Sequence, residues 1–128
     1  MLIANRSSSP RYKRDRIESF LLVSRIKSKS ERMSVTLVEM NANGIQKPHS
    51  HIPEQVYYIL EGTGLIQIGS EKKQVTAGDC VLIPTNEEHS LINIENGPLK
   101  YLSASSPGFT QEQCEELWPL PSIENDAK

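Results

Sequence analysis

The chain is predicted to be an all-β domain, a small antiparallel sandwich or barrel, on three observations. Roughly nine short β-prone runs recur about every 8–12 residues, with Gly, Pro or Asn between them. Residues 34–40 alternate polar and apolar, the period that puts one strand face in a core and the other in water. Helical spacing occurs at one place only, after Thr110.

Taken in order, Ser7-Ser8-Ser9-Pro10 reads as a flexible arm, and Arg11, Lys13, Arg14 and Arg16 make the next stretch a solvated basic face. Residues 1–18 are therefore assigned to an N-terminal arm. The barrel is expected over 19–109. It opens with a β-prone run at 19–27 and the alternating run 34–40, then the turn 41–44. The run 56–60 follows, broken at Glu61-Gly62-Thr63-Gly64 before 65–68. Gly69-Ser70 suits a tight hairpin into 74–76. Ala77-Gly78 precedes 80–83, the loop 84–88 leads to 89–94, and Asn96-Gly97-Pro98 turns the chain into 99–104. Residues 110–128 are assigned to a helix and tail. Thr110 and Gln113 form a capping box, Cys114, Leu117 and Trp118 supply the apolar stripe, and Pro119 and Pro121 end it before a loose tail from Ile123.

The chain's 128 residues suffice for one domain with a real core, and a net charge of −2 gives no argument for nucleic-acid or membrane partners. Cys80 and Cys114 form no C-x-x-C pattern, so neither a disulfide framework nor a zinc knuckle is indicated, and Cys80 reads as a small core residue. No apolar stretch approaches the roughly 20 residues that span a bilayer, and the start is too short in apolar residues for a signal peptide. The Asn5-Arg6-Ser7 sequon then carries no weight, and the expected setting is cytoplasmic.

The chemistry concentrates in three histidines. His49 and His51 are spaced H-x-H, which points both imidazoles to one face of an extended strand. His89 and the amide of Gln55 could complete a cluster able to bind a divalent transition metal such as Fe, Mn, Ni or Zn. Tyr57 shares Gln55's parity and is the candidate catalytic residue, its hydroxyl placed to hydrogen-bond or protonate a ligand. Arg25 is the candidate substrate-binding cation through a bidentate grip on a carboxylate or phosphate. Lys27, Lys100 and Tyr101 are further groups at strand ends. Asn93 reads as a structural hydrogen-bonding residue. No Ser-His-Asp order, P-loop or G-x-G-x-x-G occurs.

Two blocks resemble the paired motifs of the cupin superfamily. The first family pattern is G-x5-H-x-H-x3-4-E-x6-G; here Asn43 through His51 is followed by Gln55 and Gly62. The second is G-x5-P-x-G-x2-H-x3-N, matched by Gly78, Pro84, Asn86, His89 and Asn93. Asn43 and Asn86 stand where glycines are usual, and Asn tolerates positive φ better than most residues. Gln55 stands where the family usually has a glutamate ligand; Glu54 is adjacent but of opposite parity.

The resemblance implies a small cupin barrel, a double-stranded β-helix or jelly roll, holding a metal through His49, His51, His89 and either Gln55 or Glu54. Members with a His-His-Gln-His set convert unsaturated uronates or act on other oxygenated small molecules. The expected partner is a small-molecule ligand, and the expected assembly is a homodimer, supported by Tyr58 and Leu60 on the outward face. An isomerase, a lyase and a dioxygenase fit this set, and so does a non-catalytic binding or sensor barrel.

Overall fold

The structure, a computed structural model, describes residues 1–26, 28–110 and 112–113, and the backbone of 123–125. Among them, eleven strands form two antiparallel sheets. In chain order they are β1 (Pro10–Arg14), β2 (Ile17–Val23), β3 (Ser34–Met40), β4 (Ile45–His49), β5 (Glu54–Glu61), β6 (Thr63–Ile68), β7 (Glu71–Thr76), β8 (Cys80–Ile83), β9 (His89–Asn93), β10 (Leu99–Ser106) and β11 (Ile123–Asn125). One sheet runs β11-β1-β2-β3-β10-β5-β8 and the other β4-β9-β6-β7, the antiparallel jelly-roll arrangement.

The inward faces change character at one level. On β3 and β10, Met40 pairs with Leu99 and Val38 with Tyr101, while one step further Thr36 faces Ser103. On β10 and β5, Tyr101 faces Ile59 and Ser105 faces Gln55. Met40, Val38, Leu99, Ile59, Tyr57 and Tyr101 belong to one buried apolar cluster with Ile66, Ile83 and Leu91. Each such side chain contributes about 1.5–3 kcal/mol on burial. Thr36, Gln55, Ser103 and Ser105 are buried as well, yet polar. One end of the barrel is thus a closed core, and the other is a polar chamber.

The N-terminal residues correct the expectation. The basic stretch assigned to an arm forms β1 and the start of β2, joined at Asp15 with φ 47° and paired Arg14 to Ile17. Tyr12 on β1 is buried with Leu21 and Phe109, so the charges on either side hid an alternating strand. Arg6 lies over Phe20, 4.3 Å from its ring centroid, and pairs with Glu39 at 2.7 Å. The tail shows the same correction, since β11 pairs with β1, Tyr12 opposite Ile123. Of the helix expected after Thr110, the reciprocal cap is present. The Thr110 amide donates to Gln113 Oε1 at 2.8 Å and the Gln113 amide to Thr110 Oγ1 at 3.2 Å. Cys114, Leu117, Trp118 and Lys27 lie outside the described residues.

Two more side chains differ from their expected places. Cys80 is exposed rather than a core residue: it faces Tyr58 on the outward side of edge strand β8. Tyr58, Leu60 and Leu82 are 44–56% exposed on that side, the face that the resemblance assigns to a subunit contact. Tyr101, counted among groups at a strand end, is buried in the core.

The turns behave as their residues require. Asn43 and Asn86, standing for the motif glycines, take φ of 66° and 63°. At Gly62, with φ 90°, an added Cβ would run into the Pro98 carbonyl oxygen. Asn93 ties two loops together: its Nδ2 donates to the carbonyls of Met40, Asn41 and Gly97 at 2.9–3.2 Å, and its Oδ1 accepts from the Glu95 amide at 3.0 Å. Asn93→Ala leaves buried carbonyls without donors and is expected to lower unfolding free energy by about 2–4 kcal/mol. Urea denaturation measures it, and a loss below about 0.5 kcal/mol would contradict the assigned role.

Candidate metal centre

The site forms where β4 ends beside the start of β9. His49 and His89 are direct cross-strand partners after an irregularity in the β4–β9 register, and their ring centroids are 4.2 Å apart. His51 follows two residues beyond β4, its ring centroid 4.9 Å from that of His89 and 5.4 Å from that of His49. Phe109 braces it edge-on at 5.2 Å. One nitrogen from each imidazole lies within 4.8 Å of the other two. His89 is buried and the other two are half-buried.

Each ring is locked in the same way. Nδ1 of His49 meets the Lys47 carbonyl, that of His51 the Pro53 carbonyl and that of His89 the Glu87 carbonyl, all at 2.9 Å. A carbonyl oxygen only accepts, so Nδ1 carries the proton in all three and Nε2 presents a lone pair. Burial pushes His89 down to about 4, against a smaller opposing effect of the Glu87 carbonyl, with His49 and His51 lowering it further. Burial also lowers His49, opposed by the Lys47 carbonyl and assisted by His51 and Arg14. Both rings are therefore held neutral near pH 7, the form in which imidazole binds a metal.

Gln55 enters from β5. Its Nε2 donates to Ser103 Oγ at 2.6 Å, which turns Oε1 towards the histidines, 3.1 Å from His51 Nε2. With the His51 proton on Nδ1, these two atoms are both acceptors, an arrangement that a shared cation relieves. His89 Nε2 is buried with no hydrogen-bond partner. That orphaned lone pair and the neutral N/O donor set fit a divalent transition ion. Glu54 is exposed on the outer face of β5 and points away from the cluster.

The remaining candidates fall on either side of this centre. Tyr57 lies on the inner face, its ring centroid 6.2 Å from that of His89 and 4.5 Å from that of Tyr101. Burial pushes its hydroxyl far above the ordinary phenol range, with a smaller opposing effect of Tyr101. Tyr101 is raised by burial and by Tyr57. Both remain neutral phenols. Arg25 instead pairs with Glu31 at 3.3 Å and lines neither of the two cavities at the site. Lys100 lies 3.7 Å from Glu61. The sequence reading missed Arg14 and Gln46, which line both cavities together with His49. Arg14 shares parity with Tyr12 on β1, a signal that the surrounding charges concealed.

Among the described residues no helix is long and apolar enough to cross a membrane. Residues 36–105, more than half of the chain, match the family model for the cupin domain. An uncharacterised protein of Methanocaldococcus jannaschii is 44% identical over 70 residues, 54% of this chain and 56% of that protein. The pectin degradation protein KdgF of Dickeya dadantii is 29% identical over 69 residues, 53% of this chain and 63% of KdgF. The chain thus spans less than two thirds of the length of these relatives. The solved structure of KdgF from Halomonas sp. superposes with a TM-score of 0.73 at 16% identity, covering 88% of this chain and 96% of that one. The paired motifs, the two-sheet barrel and the matched family model agree: the chain belongs to the cupin family.

Proposed function

We propose that this cupin is a metal-dependent enzyme acting on a small oxygenated metabolite, a sugar acid, keto or diol compound. His49, His51 and His89 hold a divalent transition ion, with the Gln55 amide oxygen as the fourth protein ligand. The observation that carries this reading is the convergence of one ring nitrogen from each of three imidazoles whose Nδ1 atoms all meet backbone carbonyls. Iron, manganese, nickel and zinc all suit such a nitrogen and oxygen set.

A bound ion there supplies Lewis acidity towards a substrate oxygen, or a site for dioxygen. Gln55, being neutral, cancels none of the ion's charge, which favours an anionic or enolisable ligand in the open positions. No carboxylate joins the three histidines among the described residues, so isomerase or lyase chemistry fits better than oxygenation of the facial-triad kind. The role of KdgF in pectin degradation agrees with an acidic sugar as ligand class. Tyr57 contributes as a neutral hydrogen-bond donor from the inner wall, since burial holds its proton in place and makes it a poor general acid. The apolar end of the barrel, closed by Ile59, Leu91 and Leu99, keeps bulk water from entering behind the site.

Elemental analysis of protein purified without chelator or His-tag tests the metal. Near one ion per chain is expected, falling well below a tenth in His49→Ala/His89→Ala. An equal metal content in both proteins, or none in either after reconstitution, would sink the enzyme reading.

Acid should weaken the metal-free fold in a defined window. His89 titrates at about 4 in the folded chain against an ordinary 6.5, so between those values the unfolded chain binds more protons. Stability is therefore full above about pH 6.5 and falls as pH drops towards 4, by on the order of 3 kcal/mol, with His49 acting in the same direction. Urea melts at pH 7.0, 5.5 and 4.5 measure this. The slope should shrink in His89→Phe, and a slope unchanged in that variant would contradict the assignment.

A further inference from the structure

Outside the histidines the barrel opens into a cleft of about 420 Å³. Its charged lining is Arg14, Arg16 and Lys47 against Asp15, an excess of positive charge. Inside lies a smaller cavity of about 30 Å³, walled by Gln55, Tyr57 and Ser103 among others. Arg14, Gln46 and His49 line both, so they stand at the neck between cleft and chamber.

Arg14 is not held by a carboxylate as three other arginines of the described residues are. Arg6 pairs with Glu39, Arg11 with Glu18 and Arg25 with Glu31. Among the described residues Arg14 has no carboxylate within ion-pair distance. It lines both the cleft and the inner chamber beside His49, so it stands at the site. A half-buried arginine with no carboxylate partner among the described residues, lining the neck beside His49, is suited to an anionic ligand.

We propose that Arg14 grips the carboxylate of the substrate at the neck of the cleft, making the site selective for small hydroxy- or keto-carboxylates over their neutral analogues. The planar fork takes both carboxylate oxygens, and the rest of the molecule extends past His49 towards the metal. Gln46 offers a neutral donor and acceptor for a hydroxyl beside it. Arg16 and Lys47 draw the anion in from solvent. The inference rests on the metal-site reading only for where the far end of the ligand lies; the carboxylate grip itself belongs to the chain.

Calorimetry on the nickel-loaded full chain tests this with lactate, threonate and gluconate, each against its reduced partner: propane-1,2-diol, threitol and sorbitol. At least one acid should bind, and its alcohol about tenfold or more weakly. Arg14→Gln should bring that acid down to the level of the alcohol with nickel content and melting temperature unchanged. Arg14→Lys should keep part of the preference. Failure of every acid to bind, equal binding of acid and alcohol, or a preference intact in Arg14→Gln would each overturn the proposal. Tighter binding of glycerol 3-phosphate than of any acid would overturn the carboxylate class. A chain that takes up no nickel fails at the metal reading instead. The same titrations on the metal-free chain then decide Arg14: an acid preference lost in Arg14→Gln supports it, and no preference overturns it.

Discussion

Three backbone carbonyls, those of Lys47, Pro53 and Glu87, decide what the mouth of this barrel can do. Each accepts a hydrogen bond from the Nδ1–H of a histidine two residues away, so no ring can turn without losing a hydrogen bond. The three Nε2 atoms are left as the nitrogens available to an ion. Burial then keeps His49 and His89 from taking up protons near neutral pH. The local backbone path at the end of β4, before β5 and before β9 has thus been shaped to present unprotonated nitrogen. The register of β4 against β9 sets His49 directly opposite His89, their rings tilted by 55° with centroids 4.2 Å apart.

That arrangement depends on the two-ended interior. The apolar rows of β3, β5 and β10 anchor the sheet, and the same rows turn polar one residue pair further along. Ser103 shows how closely the two are coupled, because its hydroxyl fixes the Gln55 amide from a strand that also carries Leu99 and Tyr101 into the core. His49, His89 and Gln55 sit on strands, and His51 in the short connection from β4 to β5 is braced by Phe109, which keeps such a site ordered before anything binds.

Much of this was legible in the residues alone. The alternation in residues 34–40 marks β3, the Gly69-Ser70 hairpin marks β6 and β7, and the H-x-H spacing with His89 names the imidazoles that come together. The asparagines at 43 and 86 take the positive φ that their motif positions demand. What was hidden had physical reasons. β1 alternates, but Arg11 and Lys13 flank its one buried aromatic, so the run looks like a solvated charge cluster. β4 holds only exposed or half-buried residues and carries no apolar period. Cys80 lies in an unbroken apolar run, and only pairing with Tyr58 on an edge strand reveals which way it points. Arg25 sits at the end of an apolar strand as a gripping residue would, yet Glu31 lies close enough to take its charge. Arg14, without a carboxylate partner among the described residues, comes from the segment set aside as an arm.

The central claim is that three imidazoles and one amide oxygen converge on a single ion. X-ray absorption spectroscopy at the metal edge of the loaded protein addresses it most directly, in the wild type and in Gln55→Ala. The account predicts the outer-shell scattering of three imidazoles in both proteins, with one oxygen scatterer exchanged or lost in the variant. A first shell with fewer than three imidazoles, or identical spectra with and without Gln55, would contradict it.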